Sequence, residues 1–448
     1  MTWTLQQIRA LSTGQLLSTS KRSMSHFRVI SHTIRAQSIR ERPGAVKHGH
    51  EKDLRLAVKQ YIPHDNPKPG TEDVTLIGAH ANGFPKELYE PLWDDIYTSL
   101  LRTHNRRIRA IWIADVVHQG QSGELNESIL GDDPSWFDHG RDLLFLLNQF
   151  QDQIPAPIIG IGHSMGGMQL AHLSLMHPSL FQGLILVDPV IQREDPSRRY
   201  ALPSTYRRDL WPSREEARRK FQSSPFYRTW DPRVLDKWVE YGLRELPTRL
   251  YPSSSSSSSD SAAAAGTKQP AVTLTTPKAQ EVFTFLRSAY VDERSGLPRG
   301  VPQEEMHLDD IDDTFPFYRP EPPQIFRRLP ELKPPVLYLF GKDSDLSSPE
   351  ARREKLATTG TGVGGSGGIS RSCVQEVVLP CGHLVPMERV QESAQASAEF
   401  IDSTLASWET RTRQFQQAWG HVPHDERVKI DKQWEEHIGA LPKKPTKL

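Results

Sequence analysis

Residues Ile158 to Gly167 read Ile-Ile-Gly-Ile-Gly-His-Ser-Met-Gly-Gly. A short apolar run enters Gly162-His163-Ser164-Met165-Gly166, and a helical pattern follows at once. A serine set between two glycines in a strand-turn-helix context is presented as a nucleophile. The turn is too tight for side chains at the outer positions, which explains glycine at 162 and 166. It lifts the Ser164 hydroxyl above the strand end and aims the Met165 N–H at the place where an oxyanion would form. The chemistry this predicts is attack on an acyl carbonyl.

Such a serine needs a base, and the base needs an orienting acid. With this turn the expected chain order is serine, acid, histidine. His383 fits the base, because it follows an expected strand and sits in Cys381-Gly382-His383-Leu384-Val385-Pro386 before a helix. The acid has three candidates. The loop after another expected strand reads Gly341-Lys342-Asp343-Ser344-Asp345-Leu346, and the usual acid position three residues past the glycine holds Ser344. Asp345 is preferred, since it lies farther from the strand with Leu346 beside it to seat the loop. Asp188, at the end of an earlier strand, and Asp343 are the alternatives. A second oxyanion donor is expected from Asn82-Gly83-Phe84-Pro85, through the N–H of Phe84 or of Gly83. The turn from Asp115 to Ser122 reads as structural. His48-Gly49-His50 lacks visible partner ligands, and neither a metal nor an organic cofactor is implied.

The elements that must position these groups are legible as apolar runs. Strands are expected at 54–62, 74–78, 108–114, 158–162, 184–187, 336–340 and 374–379, with helices at 88–101 and 142–150. Their alternation predicts a mostly parallel sheet covered on both faces. Between Pro189 and Pro334 the rhythm stops and helical fragments take over, at 214–221 and 234–243. The predicted fold class is α/β, an α/β-hydrolase fold with an inserted helical cap. The expected division is a disordered or targeting segment over 1–23, core over 24–189, cap over 190–333 with a Ser-rich disordered loop, core again over 334–408, and a tail over 409–448. Trp211, Trp230 and Trp238 of the cap could line an apolar acyl tunnel.

The chain has 448 residues, with 55 Lys and Arg against 55 Asp and Glu. That balance gives no footprint for nucleic acid. The stretch 153–187 holds no Lys, Arg, Asp or Glu, but its prolines, histidines and glycines suit a strand, elbow and helix, and no transmembrane segment is expected. Cys373 and Cys381 are the two cysteines, so a disulfide framework is not expected. Residues 1–40 are basic and free of acid, a composition that suits a mitochondrial segment; a disordered tail, or a start at Met24, would explain it as well. Thr446-Lys447-Leu448 resembles a peroxisomal address, which would make an import receptor a partner. Peroxisomes are therefore the expected location, with mitochondrion and cytosol as alternatives.

The segments Gly78–Tyr89, Gly162–Gly167 and Thr359–Gly368 together resemble a fungal group of α/β-hydrolases. That group includes proteins linked to host-selective toxin biosynthesis and is similar to a yeast peroxisomal lipase. The resemblance implies a peroxisomal serine hydrolase acting on small-molecule, fatty-acyl-type esters or thioesters. The rival expectation is a catalytically silent hydrolase-fold binding factor in a secondary-metabolite pathway. Dehalogenase and epoxide hydrolase chemistry in this fold would place an aspartate where Ser164 stands.

Overall fold

Eight strands build the central sheet, numbered along that sheet alone: β1 (Phe27–Arg35), β2 (Arg55–Pro63), β3 (Val74–Ala79), β4 (Ile108–Ala114), β5 (Ile158–His163), β6 (Gly183–Val187), β7 (Val336–Gly341) and β8 (Val374–Leu379). They lie in the order β1-β2-β4-β3-β5-β6-β7-β8. The pairs from β4 to β8 are parallel, and β2 runs against both of its neighbours. This computed structural model describes residues 26–194, 197–252, 270–296, 298–300 and 315–439. The segment 1–23, the serine run and Thr446-Lys447-Leu448 lie outside those residues.

The central strands are apolar on both sides because both sides are covered. Every residue of β3, β5, β6 and β7 is buried. On one face the helices Glu90–His104 and Val390–Gly420 pack together, and Leu92, Trp93, Ile96, Ala394, Ala398, Ile401 and Leu405 belong to one hydrophobic cluster there. On the other face lie Trp136–Gln149 and Met165–Met176, with Leu143, Leu146, Leu170 and Leu173 inward. The ends of these helices follow local chemistry. Pro91 opens the first helix, and Asn105 closes it in the left-handed region at φ 52°. Ser135 caps Trp136–Gln149 by accepting the Phe137 N–H.

Three expectations shift. β1 was not anticipated, because an edge strand reading Phe-Arg-Val-Ile-Ser-His-Thr-Ile-Arg shows little apolar alternation. The helix expected at 142–150 begins at Trp136. The helix Val390–Gly420 runs without a break across residue 409, and its buried positions end at Leu405.

The segment over the sheet holds the helices Arg198–Tyr206, Arg214–Ser223, Pro232–Tyr241 and Lys278–Phe285, with two small three-stranded sheets. Its tryptophans do not line a tunnel. Trp211, Trp230 and Trp238 are buried among Phe221, Tyr227 and one another, and Phe84 packs on Trp230 and Trp238, so this segment's core is continuous with that of one sheet face. An ionic cluster fastens the segment to the sheet layer: Glu321 accepts from Arg42 at 2.7 Å and from Arg319 at 3.1 Å, while Arg287 grips Asp133 at 2.6 and 2.7 Å. The two arginines beside Glu321 hold its carboxyl at about 2 despite burial.

Candidate active site

Ser164 directly follows β5 with φ 58° and ψ −119°, a conformation that L-residues rarely adopt. The flanking glycines are sterically required. A Cβ on Gly162 would stand 2.5 Å from the Gly166 carbonyl oxygen, and one on Gly166 would stand 2.2 Å from the Ala79 oxygen. The strained turn is held by the neighbouring strand: Ser164 donates its N–H to Val187 at 2.9 Å, and Val190 donates back to the Ser164 carbonyl at 3.1 Å.

His383 lies four residues beyond β8, and its Nε2 is 2.8 Å from Ser164 Oγ. Its Nδ1 is 2.6 Å from Asp188 Oδ2. Asp188 is the residue after β6, with φ 39°. Its N–H bonds the Leu339 carbonyl at 2.8 Å, which fixes it against β7. The carboxylate is fully buried and well satisfied. Ser344 Oγ donates to Oδ2 at 2.5 Å, the Gly341 N–H donates to Oδ1 at 3.3 Å, and Ser347 Oγ makes a short bond to Oδ1. Burial alone would raise this carboxyl's pKa, but hydrogen bonds from His383, Ser344 and Ser347 and the charge of His383 leave it below the ordinary value.

Asp188, one of the two alternatives to the preferred Asp345, is therefore the carboxylate brought to His383. Asp345 points elsewhere: it takes Arg199 Nη1 at 2.7 Å and the Tyr200 hydroxyl at 2.5 Å, and it is exposed. The physical reason is register. Residue 344 does reach the site, but as a serine that clamps a carboxylate delivered from the neighbouring strand. Asp345 still acts at one remove, because the Tyr200 it holds places its ring 5.8 Å from the His383 ring. Asp343 is exposed, with its N–H bonded to the Cys381 carbonyl at 2.9 Å.

Met165 is the first residue of its helix, so its N–H has no acceptor within that helix. The two partner candidates differ. The Gly83 N–H is held by Gln119 Oε1 at 2.8 Å, whereas the Phe84 N–H makes a 3.2 Å turn bond to the Ala81 carbonyl. Beneath this loop Asp115 takes the N–H and the ammonium of Lys86, at 3.0 and 2.6 Å, and the N–H of Gln121 at 2.9 Å. A Cβ at residue 120 would stand 2.5 Å from the Asp115 carboxyl carbon, so the Asp115–Ser122 turn is a brace.

His163 joins the two sides of the site. Its Nδ1 meets the Tyr89 hydroxyl at 2.9 Å, and its Nε2 meets the His383 carbonyl oxygen at 3.0 Å. The Tyr89 oxygen also accepts the Ala81 N–H at 2.8 Å. Burial, with the charge of His383 adding, pushes the His163 imidazole down to about 3, so it is neutral near pH 7. It then accepts from Tyr89 and donates to His383. Ser164 and His383 open on a cavity of about 400 Å³ walled by Phe84, Trp136, Phe226, Tyr227, Phe285 and Leu384. Ser344, Ser347, Tyr89, Tyr200 and Glu281 escaped sequence reasoning. The pair at 344 and 347 carried a signal: two hydroxyls in the loop where a carboxylate was sought.

A family model described as the alpha/beta hydrolase family matches residues 76–400. The chain belongs to that family. The type I acyl-CoA thioesterase mpaH of Penicillium roqueforti is 38% identical over 435 residues, spanning 94% of this chain and 97% of the relative. The abhydrolase domain-containing protein AFT2-1 of Alternaria alternata is 30% identical over 250 residues, covering 55% of this chain and 83% of its own. Among solved structures, the peroxisomal alpha-beta-hydrolase Lpx1 of Saccharomyces cerevisiae matches with a TM-score of 0.63 at 17% identity, over 91% of this chain and all of that one. This α/β hydrolase thus shares its fold with the yeast protein and its sequence with fungal thioesterases along nearly the full chain.

Proposed function

We propose that this hydrolase cleaves an acyl thioester of the acyl-CoA class through an acyl-enzyme on Ser164. The observation that carries the reading is the unbroken hydrogen-bond chain Ser164–His383–Asp188, at 2.8 and 2.6 Å, opening on an apolar cavity. Ser164 Oγ attacks the acyl carbonyl while His383 Nε2 takes its proton. The Met165 and Phe84 N–H groups meet the oxyanion, the latter by loosening its 3.2 Å turn bond. The C–S bond breaks, and His383 returns the proton to the departing thiolate. Water then attacks the acyl-enzyme with His383 again as base, releasing the acid and Ser164. Asp188 holds Nδ1–H in place and balances the imidazolium. The thioester choice rests on the thioesterase relatives and on the cavity's apolar walls.

A silent binding factor is the rival reading, and the buried, fully hydrogen-bonded Asp188 supports the enzyme against it. The test is release of free thiol from a series of acyl-CoAs, with fluorophosphonate labelling in parallel. Labelling lost in Ser164→Ala, together with thiol release by the parent, supports the proposal; neither signal in pure parent protein sinks it. A peroxisomal location is a further proposal, resting on the likeness of Thr446-Lys447-Leu448 to a peroxisomal address. A fluorescent protein fused upstream should give puncta that become diffuse when Leu448 is deleted, and a pattern indifferent to that deletion would refute it.

A further inference from the structure

The cavity wall carries a buried acidic group that an alkyl chain does not explain. Glu281, from the helix Lys278–Phe285, lines it and is 4% exposed. Its Oε1 accepts from Ser204 Oγ at 2.7 Å and from Arg207 Nη1 at 3.1 Å. Its Oε2 lies 3.0 Å from the same Arg207 nitrogen, yet makes no hydrogen bond among the described residues. A carboxylate can only accept, and a buried acceptor without a donor is costly. The backbone places this oxygen close to the chemistry. The Glu281 carbonyl takes Asn82 Nδ2 at 3.0 Å, and the Glu281 carboxyl carbon is 3.0 Å from where a Cβ at Gly83 would stand. The carboxylate therefore sits beside the oxyanion loop, fixed by Ser204 and Arg207, with Oε2 buried and held only by its ion pair with Arg207.

We infer that Glu281 selects substrates carrying a hydrogen-bond donor, a hydroxyl or an amide N–H, within reach of the acyl pocket, so that plain alkyl substrates are poor ones. This rests on the thioesterase reading above. An alkyl group against this wall would leave Oε2 an acceptor without a hydrogen bond, whereas a hydroxyl brought to it would supply one. The donor can come from two places: a hydroxyl on the acyl chain, or the amide and hydroxyl groups of a pantetheine-type leaving arm. The chemistry is shared, and the substrate matrix separates the sources.

Thioesters of octanoate and of a hydroxyoctanoate set, with the hydroxyl at successive carbons, are compared in the full-length protein, each carried on pantetheine and on ethanethiol. The parent should favour a donor-bearing substrate in kcat/KM by about tenfold or more. A hydroxyl that matters on both thiols places the donor on the acyl chain; a pantetheine advantage for both acyl groups places it on the leaving arm. In Glu281→Leu that ratio should fall to near one. Glu281→Gln keeps size and one acceptor, and should fall between. Ratios are read within one variant, so general loss of structure does not imitate the effect, and if the leucine variant does not fold the glutamine variant decides. No donor preference in the parent, or an equal preference in both variants, overturns the inference. Failure of the thioesterase reading looks different: no thiol release from any of the substrates.

Discussion

Replacing Asp188 by asparagine removes one oxygen and changes no shape. The carboxylate now receives four donors: the Gly341 N–H and Ser347 Oγ on Oδ1, and Ser344 Oγ and His383 Nδ1 on Oδ2. An amide offers one oxygen. If that oxygen keeps the Gly341 and Ser347 bonds, the NH₂ faces His383 and forces Nδ1 to accept. His383 then carries its proton on Nε2, 2.8 Å from Ser164 Oγ, and cannot take another from the serine. Loss of the correct tautomer in a serine triad lowers turnover by about 10⁴-fold, equivalent to ~5.5 kcal/mol of transition-state stabilisation at ~1.4 kcal/mol per decade. Asp345→Asn serves as the comparison. Its exposed pair with Arg199 and its Tyr200 bond lie beside the site, so a loss of about tenfold or less is expected, in line with the modest worth of exposed ion pairs. The assay is thiol release under saturating acyl-CoA, with thermal melting to establish that both variants are folded. A folded Asp345→Asn as crippled as Asp188→Asn, or a folded Asp188→Asn within tenfold of the parent, refutes the assignment of the acid.

Other consequences of the same geometry can be checked separately. Gly166→Ala puts a methyl 2.2 Å from the Ala79 oxygen and should destabilise the protein by roughly 3 kcal/mol or more, read as a drop in urea midpoint; an unchanged midpoint contradicts the tight elbow. His163→Phe leaves the His383 carbonyl and the Tyr89 hydroxyl without this partner, so kcat should fall by about tenfold with KM little changed; a pure KM effect would remove His163 from the positioning of the base. Burial depresses His118 and His163 to about 3 and His172 to about 4. Below pH ~6.5 the unfolded chain protonates these three while the native state does not, so their contribution to stability declines as pH falls toward those folded values. Burial raises Asp138 to about 6, so between the ordinary carboxylate range and that value the native state binds a proton the unfolded chain lacks, which offsets one histidine. Near pH 5 the buried histidines should make unfolding take up protons, so stability should fall as pH drops; urea midpoints that stay flat from pH 6 to 4.5 would contradict it.

Ser164 and His383, the proposed nucleophile and base, were legible because local sequence dictates the turns that present them. Gly162 and Gly166 are demanded by contacts of 2.5 and 2.2 Å, and steric demands of that kind leave glycine in the sequence. The buried strands were legible because parallel pairing under two helical layers leaves no place for polar side chains. The acid was not, because its identity depends on which strand end lies beside His383. That is a matter of order in space, β6 next to β7, and not of spacing along the chain. β1 was hidden for the same reason, since its nine residues match β2 by register and not by an apolar pattern. The tryptophans at 211, 230 and 238 show the converse. Large aromatics in an insertion suggest a tunnel, yet these three pack into a core cluster that runs on into one face of the central sheet.

The central claim is that an acyl group passes through Ser164. Intact-protein mass spectrometry of the parent, acid-quenched shortly after rapid mixing with an acyl-CoA, tests it most directly, with peptide mapping to locate the adduct. The account predicts that the parent turns over, that the acyl mass shift maps to the peptide bearing Ser164, and that the shift is absent from Ser164→Ala. Thiol release that persists in folded Ser164→Ala, or an adduct that maps to another residue, would contradict it.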